Sequence, residues 1–233
     1  MKHLVVLTGA GISSESGIKT FRDSGGLWEE YDIADVATPE AWYNNRDLVL
    51  RFYNERRRQL KEAKPNKAHT GLAFLENHFE IDIITQNIDN LHERAGSTNI
   101  LHLHGELTKA RSSEDPSLIY NIGYKDINPG DFCDLGSQLR PHVVWFGEEV
   151  PNMEEAITIT SKADIFVVIG TSLNVYPAAG LINYVPGRSP IYVIDPANVP
   201  LPETRNVQLI RKKAGEGVRI LTEYLVTNVK NQS

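Results

Sequence analysis

Cysteine is almost absent from this sequence, which contains only Cys133 among its 233 residues. A single cysteine cannot form an intramolecular disulfide, and it cannot build a zinc site from cysteine ligands. Long hydrophobic runs are also missing, because no stretch approaches the roughly 18 apolar residues of a membrane-spanning helix. The sequence therefore predicts a protein with neither a disulfide framework nor a membrane segment.

Positive charge is scarce as well. The chain has 24 lysines and arginines against 30 aspartates and glutamates, which gives a net charge of −6. This balance argues against a basic nucleic-acid-binding surface, although Arg56-Arg57-Arg58 is a local basic patch. The first residues lead at once into an apolar run, so no targeting segment is expected there. We expect a cytoplasmic protein without direct nucleic-acid or membrane partners.

A glycine-rich turn follows the first apolar run. Leu4-Val5-Val6-Leu7 predicts a buried parallel strand, and Gly9-Ala10-Gly11 comes directly after Thr8. Glycines in such a turn let the backbone approach a pyrophosphate. The dinucleotide fingerprint of hydride-transfer enzymes needs a third glycine where Ser14 stands, and the next glycine is Gly17. The spacing disfavours a dehydrogenase, and taken alone it fits a plain tight turn equally well.

Apolar runs alternate with helical patterns along the rest of the chain. Further strands are predicted over 81–84, 100–103, 165–169, 191–194 and 207–210, and helices over 38–63, 66–77, 152–161 and 215–226. This alternation predicts an α/β fold with a doubly wound, Rossmann-like parallel sheet. We expect residues 1–35, 78–107 and 140–233 to form that domain. A helical insert over 36–77 and an irregular insert over 108–139 are expected to form a small second domain.

Polar residues follow five of the predicted strands. In an open parallel sheet the ligand binds beyond the carboxyl ends of the strands, along one edge. These polar groups are therefore expected to converge on one site. They are Gly9 and Gly11, Gln86 with Asn87 and Asp89, His104, Gly170 with Thr171 and Ser172, and Asp195.

Five segments resemble those of the sirtuins, the NAD-dependent protein-lysine deacylases. In chain order they are GAGISSESGIKTFRDSGGLW (9–28), TQNIDNLHERAG (85–96), HLHGEL (102–107), RPHVVWFGE (140–148) and GTSLNVYPAAGL (170–181). They span about the first four fifths of the chain. The resemblance implies NAD as cofactor, acyl-lysine proteins or peptides as substrates, and transfer of the acyl group to ADP-ribose with release of nicotinamide.

The resemblance also implies which residues bind the cofactor. The glycine segment would hold the pyrophosphate, and the loops after the later strands would contact the ribose, the nicotinamide and the adenosine. The implied cofactor-binding residues are Gly9, Ala10, Gly11, Ser13, Gly17, Phe21, Arg22, Gln86, Asn87, Asp89, Gly170, Thr171, Ser172, Asp195 and Ala214. Asp195 departs from the family, which usually has asparagine at this position.

His104 and Asn87 are the expected catalytic residues. The implied reaction begins when the acyl-lysine carbonyl oxygen attacks the ribose carbon, and a general base then takes a proton from a ribose hydroxyl. Imidazole suits that task near neutral pH. His102 lies two residues before His104, on the same side of a regular strand, so geometry alone does not choose between them. The match of Leu103-His104-Gly105 to the family favours His104.

Two segments are expected to bind the substrate peptide as an added strand, a mode that takes affinity from backbone hydrogen bonds. The alternative is a buried strand and a loop, with Trp145 in the core. The implied contacts are Val143, Phe146, Gly147, Glu148, Asn174 and Val175.

Sirtuins usually carry four zinc-binding cysteines in the module that corresponds to residues 108–139. Here the module has only Cys133, with Ser112 and Ser113 near the position of the first pair. We therefore expect no zinc and no other metal. Packing is expected to hold the module together through Leu118, Ile119, Tyr120, Tyr124, Ile127 and Phe132.

Three residues resemble the acyl-pocket signature of the malonyl- and succinyl-accepting (class III) branch of the family. Tyr53 and Arg56 are three residues apart and share one helix face, where they could bind a distal carboxylate. Ala37 would leave room for a longer acyl chain. The alternative is that Arg56 belongs to a solvated run of arginines.

We expect an NAD-dependent protein-lysine deacylase that removes acetyl and also malonyl or succinyl groups. Two alternatives stay open. One is a mono-ADP-ribosyltransferase that uses the same NAD site, and the other is a non-catalytic module that binds NAD or ADP-ribose. His104, Asn87 and the peptide-binding segments disfavour the transferase, and the presence of His104 disfavours the binding module.

Overall fold

The computed structural model describes residues 1–18, 31–197, 199 and 206–230, with the backbone alone for 228–230. These residues form nine strands and seven α-helices. The strands are β1 His3–Thr8, β2 Glu80–Thr85, β3 Ile100–His102, β4 Gly105–Ser112, β5 Ile119–Asn121, β6 Leu139–Val143, β7 Ile165–Ile169, β8 Ile191–Ile194 and β9 Val207–Ile210. The helices are α1 Ile33–Val36, α2 Pro39–Asn44, α3 Arg46–Glu62, α4 Lys67–Leu75, α5 Leu91–Ala95, α6 Met153–Thr160 and α7 Ala214–Lys230.

The main sheet has six parallel strands in the order β3-β2-β1-β7-β8-β9. This is the strand order of a Rossmann-like sheet, and the predicted fold class is confirmed. The chain leaves β1 in one direction to reach β2 and β3, then returns to place β7 on the other side of β1. Ligands of such sheets bind where the order reverses, which here is beyond the carboxyl ends of β1 and β7.

The strands at the centre of the sheet are apolar on both faces because helices cover both. Alternate side chains of β1 point to opposite faces. Leu4 and Val6 pack with Leu72 of α4 and Val218 of α7 in one core. Val5 and Leu7 belong to a second core on the other face, which includes residues of α6 and of the 3-10 helix Ala178–Tyr184. None of the helices described is both long and apolar enough to cross a membrane.

The helical pattern over 38–63 forms two helices rather than one. Thr38 accepts a hydrogen bond from the amide of Ala41 at the start of α2, at 3.1 Å. Asn45 ends that helix and accepts from the amide of Leu48 at 3.1 Å, which begins α3. Asparagine is a favourable N-cap, so the chain restarts its helix there.

The residues of the predicted 36–77 insert contribute to two different cores. Trp42 of α2 and Phe52 of α3 pack in a third core with Leu107 and Val143 of the small sheet. Helix α4 packs instead against α7 and the main sheet. The predicted domain boundaries at 35/36 and 77/78 remain predictions. The packing of α4 favours grouping it with the main sheet.

Residues 108–139 are more regular than their composition indicates. Strand β4 pairs antiparallel with both β5 and β6, which gives a three-stranded sheet in the order β5-β4-β6. Ile127 is buried and Tyr124 packs at its side, as expected. The expectation for Ile119 and Phe132 was wrong, because 47% and 62% of their surfaces are exposed. Packing alone therefore does not hold this module.

Side-chain hydrogen bonds also hold residues 108–139 together. The side-chain amide of Gln138 donates to the carbonyls of Asn128, Asp131 and Leu139 at 3.0–3.1 Å. Its own carbonyl accepts from the amide of Gly130 at 2.8 Å. One buried side chain thus ties the hairpin ends together.

Two of the three consecutive arginines of α3, Arg57 and Arg58, lie in different environments. Arg57 is fully buried, and its Nε donates to the carbonyl of Leu107 in β4 at 2.8 Å. Its guanidinium also donates to Asn54, which in turn is bonded to both backbone groups of Ile127. Arg58 is exposed and pairs with Asp126. The arginine run is therefore not a uniformly solvated surface.

We predict that Arg57→Ala destabilises the protein by about 3 kcal/mol, because it removes the buried bond to Leu107 and leaves a cavity between α3 and the small sheet. The measurement is the free energy of unfolding from urea titration. Arg58→Ala, one residue away and exposed, is the matched control and should leave the unfolding midpoint nearly unchanged. Equal effects of the two substitutions would contradict the assigned burial.

Candidate functional site

Three glycines let the loops after β1 and β7 lie against each other at the point where the strand order reverses. The amide of Gly11 donates to the carbonyl of Gly170 at 2.9 Å. A Cβ atom on Gly9 or Gly11 would lie 2.7 Å from atoms of residues 170 and 171. Gly170 has a φ of +62°, and a Cβ there would lie 2.4 Å from the amide nitrogen of Ile12. No larger residue fits this backbone contact.

The glycine turn offers fewer free amides than its sequence suggests. The amides of Gly9, Gly11, Ile12 and Ser13 all donate to carbonyls of the loop, of β7 or of the loop after β7. Within the part of the chain described here, the amide of Ala10 is the one in this turn that is left to face an anion. The glycines of this turn thus serve mainly to let its backbone pack against the loop after β7.

Asn87 is held rigidly by the loops around it. Its side-chain amide donates to the carbonyl of Gly9 at 3.1 Å and to Oγ of Ser13 at 3.3 Å. Its backbone amide donates to Oγ1 of Thr85 at 3.0 Å, and Thr85 also accepts from Thr8 at 2.8 Å. The β2 loop and the glycine turn are therefore one hydrogen-bonded unit.

Asp89 is buried beneath the same unit. Its carboxylate accepts from Oγ of Ser13 at 2.9 Å and from the amide of Leu91 at 3.1 Å. Burial raises the pKa of Asp89, and these two hydrogen bonds act in the opposite direction. The carboxylate is thus positioned as a hydrogen-bond acceptor in a site with little water.

His104 has the orientation of a base. Its Nδ1 lies 3.0 Å from the carbonyl of Gln86. A carbonyl only accepts, so Nδ1 carries the proton and Nε2 has the free lone pair. In the residues that the structure describes, Nε2 has no hydrogen-bond partner. Burial lowers the pKa of His104, although its bond to Gln86 opposes the shift. His104 is therefore neutral near pH 7.

His102 is in the opposite state. Its Nδ1 lies 3.0 Å from the carbonyl of Asn87, and its Nε2 lies 2.7 Å from the carboxylate of Glu93. Both neighbours are acceptors, so both nitrogens donate. Burial alone would lower the pKa of His102, but the hydrogen bond and charge of Glu93 outweigh it and the pKa is raised. His102 lacks the free lone pair of a base, which favours the prediction of His104.

Glu93, His102 and Glu106 place one potential metal-ligand atom each within 4.8 Å of one another. Each of these groups already has a partner. His102 is bonded to Glu93, and Glu106 pairs with Lys109 at 2.5 Å. The cluster is therefore an ion-pair network.

Tyr53 and Arg56 lie on the inner side of α3, beside the segment after β6. The indole Nε1 of Trp145 donates to the hydroxyl of Tyr53 at 3.1 Å. Burial raises the pKa of Tyr53 to about 12, so the hydroxyl stays protonated and keeps its own proton to donate. Burial lowers the pKa of the Arg56 guanidinium, which interacts electrostatically with Tyr53 and Asp89. This pair thus adjoins the Asp89 side of the site.

Ala37, the residue after α1, packs in the same core as Tyr53. We call Ala37, Tyr53 and Arg56 the wall of the site. Ala37 is buried, and its carbonyl accepts from the amide of Phe146 at 3.0 Å. Val143, also buried, pairs with Gly105 in the small sheet, directly after His104. The exposed Phe146 and Gly147 continue this segment to the surface. Ala37, Tyr53 and Val143 thus pack in one core, to which Phe146 is bonded through Ala37, and their contact with a substrate remains a prediction.

Glu148 is engaged with the protein itself. Its carboxylate accepts from Arg140 at 2.7 and 3.0 Å, and from the amide of Trp145 at 2.7 Å. Arg111 approaches the same carboxylate at 3.2 Å. These bonds fix the turn that carries Phe146 and Gly147. A direct substrate contact by Glu148 remains a prediction.

The loops on the other side of the glycine turn are also connected. Gln86 donates to Oγ1 of Thr171 at 3.3 Å. Asp195, at the end of β8, accepts from the amide of Ala197 at 2.8 Å. Ala214 is buried at the start of α7. The neighbouring amide of Gly215 donates to Glu15 at 2.8 Å, a contact that the sequence interpretation missed.

The remaining predicted site residues follow β1 and β7 in the sequence. Phe21 and Arg22 lie outside the described residues. Gly17 has a φ of +83°, and it ends the short 3-10 helix Ser14–Ser16. Ser172 is half-buried, while Asn174 and Val175 are exposed beyond it. The exposure of the last two is compatible with the predicted peptide contact and does not test it.

Serines surround the only cysteine. Oγ of Ser137 lies 3.0 Å from Sγ of Cys133 and 2.7 Å from Oγ of Ser112. Ser112 also accepts from the amides of Glu114 and Asp115. Hydrogen bonding to Ser112 and Ser137 lowers the pKa of Cys133 to about 7. A hydrogen-bonded Ser-Ser-Cys group thus links the end of β4 to the turn before β6.

Known proteins of one family resemble this chain over most of its length. The profile of the Sir2 family matches residues 9–177. A Bacteroides thetaiotaomicron protein named NAD-dependent protein deacylase is 56% identical over 97% of this chain and 99% of its own length. A Helicobacter pylori protein of the same name is 54% identical, over 97% of this chain and 96% of its own length.

Solved structures give the same result. A Sir2 homologue in complex with NAD has a TM-score of 0.89 and 40% identity, covering 98% of this chain and 91% of its own. A Sir2 structure with a deacetylated p53 peptide and 3'-O-acetyl ADP-ribose has a TM-score of 0.81 and 32% identity. That match covers 95% of this chain and 92% of the other.

We predict that Gly11→Ala lowers the affinity for NAD by more than about ten-fold, because the new Cβ would push the two loops apart. Isothermal titration calorimetry with NAD measures the change. Gly187→Ala is the control, because a Cβ at Gly187 meets nothing within 4 Å. Unchanged affinity in Gly11→Ala would show that the loop contact is not needed for binding.

Proposed function

Because the chain belongs to the Sir2 family, we propose that it is an NAD-dependent protein deacylase that removes malonyl and succinyl groups as well as acetyl groups from lysine side chains. The observation that carries the proposal is the arrangement at the carboxyl edge of the sheet. A neutral, oriented His104 donates to the loop that carries Asn87 and Asp89. That loop is bonded to the glycine turn through Asn87, and Arg56 interacts electrostatically with its Asp89.

The residues at the sheet edge suit NAD. The close approach of the two glycine loops leaves backbone where a Cβ would otherwise block a pyrophosphate. Bound NAD would supply an electrophilic ribose carbon and a nicotinamide leaving group. Asn87 and Asp89, held by Ser13 and Gly9, would orient the nicotinamide end, and the 170–172 loop would hold the adenosine side.

His104 would act as the general base. With Nδ1 donating to Gln86, Nε2 can take a proton from a ribose hydroxyl, so that the neighbouring oxygen can attack the activated acyl carbon. His102, the other histidine of the motif, is already bonded to Glu93 and Asn87. Asn87 would act on the first step, the release of nicotinamide.

We predict that His104→Asn lowers kcat for deacylation by about 10²-fold or more. The asparagine amide can keep the bond to Gln86 but has no basic nitrogen, so NAD affinity should change little. The measurement is mass spectrometry of an acyl-lysine peptide, with calorimetry for NAD. In the native protein, log(kcat/KM) should rise with pH through a pKa below 6.5, because only neutral His104 is a base. Near-native turnover by His104→Asn would rule out this role.

The acyl preference rests on Tyr53 and Arg56. The Tyr53 hydroxyl accepts from Trp145, and its own proton is therefore available to a carboxylate. Arg56 adds a positive charge in a partly desolvated position, where a charge-assisted hydrogen bond is strong. The buried Ala37 keeps that wall small. A malonyl or succinyl group has a distal carboxylate that fits these donors, and an acetyl group has none.

We predict that one lysine peptide is deacylated faster in its malonyl or succinyl form than in its acetyl form. Arg56→Met should lower kcat/KM for the acidic acyl peptides by about 10-fold or more while changing the acetyl value far less. Mass spectrometry of the three peptides with and without NAD measures this. Arg58→Met removes a nearby exposed charge and serves as the control.

The outcomes separate the alternatives. Faster removal of acetyl, unaffected by Arg56→Met, would reject the acidic-acyl proposal and leave a deacetylase. ADP-ribose on protein without loss of any acyl group would favour a mono-ADP-ribosyltransferase. NAD binding without release of nicotinamide would favour a binding module. The absence of zinc and the cytoplasmic location stay predictions.

A further inference from the structure

The two histidines of the HLHGEL segment hold two consecutive peptide groups of the loop after β2. His104 donates to the carbonyl of Gln86, and His102 donates to the carbonyl of Asn87, both at 3.0 Å. The backbone of β3 aligns His102 opposite Thr85, the last residue of β2. The loop that carries Asn87 is thus held at two adjacent carbonyls, by the last residue of β3 and by His104 just after it.

Glu93 fixes the state of His102. Its carboxylate accepts from Nε2 at 2.7 Å, so Nδ1 must present its own proton to Asn87. The backbone of His102 is fixed as well, because Asn152 donates to its carbonyl at 2.8 Å. His102 itself is only 8% exposed. Water therefore cannot easily replace the bond to Asn87.

The charges around His102 come from several elements. Glu93 and Glu106 raise its pKa, and its positive charge acts on Asp89 and on the buried His92. Lys109 pairs with Glu106 and also acts on Glu93. Glu93 and Glu106 thus act on His102 directly, while Lys109 acts on these carboxylates.

We propose that His102 is a positioning residue for the deacylase reaction, which it serves by holding the carbonyl of Asn87 while Glu93 holds its other nitrogen. This inference rests on the proposed function. Without the bond, the buried carbonyl of Asn87 loses its donor and the loop can turn to find another. The side-chain amide of Asn87 would leave Gly9 and Ser13, and the carbonyl of Gln86 that orients His104 would move with it.

Two substitutions at His102 separate its two hydrogen bonds. The amide nitrogen of an asparagine can take the place of Nδ1, so His102→Asn keeps the bond to Asn87 and loses Glu93. The amide of a glutamine reaches the place of Nε2, so His102→Gln keeps Glu93 and loses Asn87. We expect kcat to fall about ten-fold or more in His102→Gln and no more than about three-fold in His102→Asn. The KM for NAD should change less than kcat in both.

A pH profile gives a second readout. Above its pKa His102 has one proton, for which the Glu93 carboxylate competes with the carbonyl of Asn87. The native enzyme should therefore lose kcat on the alkaline side. In Glu93→Gln the new amide can donate to Nε2, which keeps the proton on Nδ1, and that alkaline loss should disappear. If the His102–Glu93 ion pair had only a structural role, Glu93→Gln would lower the stability of the protein and leave the alkaline loss of kcat unchanged.

Equal loss in His102→Gln and His102→Asn, or no loss in either, would overturn the inference, and so would an alkaline limb that persists in Glu93→Gln. If one His102 variant fails to fold, the Glu93→Gln profile decides alone. A native protein that removes no acyl group would reject the proposed function instead. The two failures are therefore distinguishable.

Discussion

The backbone contact between the loops after β1 and β7 is the constraint on which the candidate site depends. The strand order brings these loops side by side, and they touch with main-chain atoms because Gly9, Gly11 and Gly170 have no side chains to keep them apart. The other parts of the site are built on this contact. The side chain of Asn87 reaches the carbonyl of Gly9, and Gln86 reaches Thr171 across the two loops.

Two similar histidines differ in protonation because different hydrogen-bond acceptors surround them. His104 and His102 are two residues apart, and each donates Nδ1 to a carbonyl of the same loop. The difference comes from Glu93, which accepts from Nε2 of His102 only. One imidazole is left neutral with a free lone pair, while the other becomes a charged link. A single carboxylate on α5 thus makes the difference between the two imidazoles.

Polar interactions hold the small sheet and the loops between its strands. Gln138 bonds four backbone groups, and a Ser112-Ser137-Cys133 group joins the strand ends. Arg57 connects α3 to β4 through the carbonyl of Leu107. The same helix presents Tyr53 to Trp145, so the packing of α3 on the small sheet also sets the wall proposed for the acyl group.

Local patterns in the sequence determined the parallel sheet, the glycine turn and the convergence of polar groups, because hydrophobic periodicity and glycine act within a few residues. The runs 165–169, 191–194 and 207–210 are strands at the predicted bounds. The tertiary structure decided the small antiparallel sheet, the different hydrogen bonding of His102 and His104, and the different environments of Arg57 and Arg58. Each depends on a partner distant in sequence, such as Gln138, Glu93 or Leu107, and a hydrogen bond between distant residues leaves no local periodicity to read.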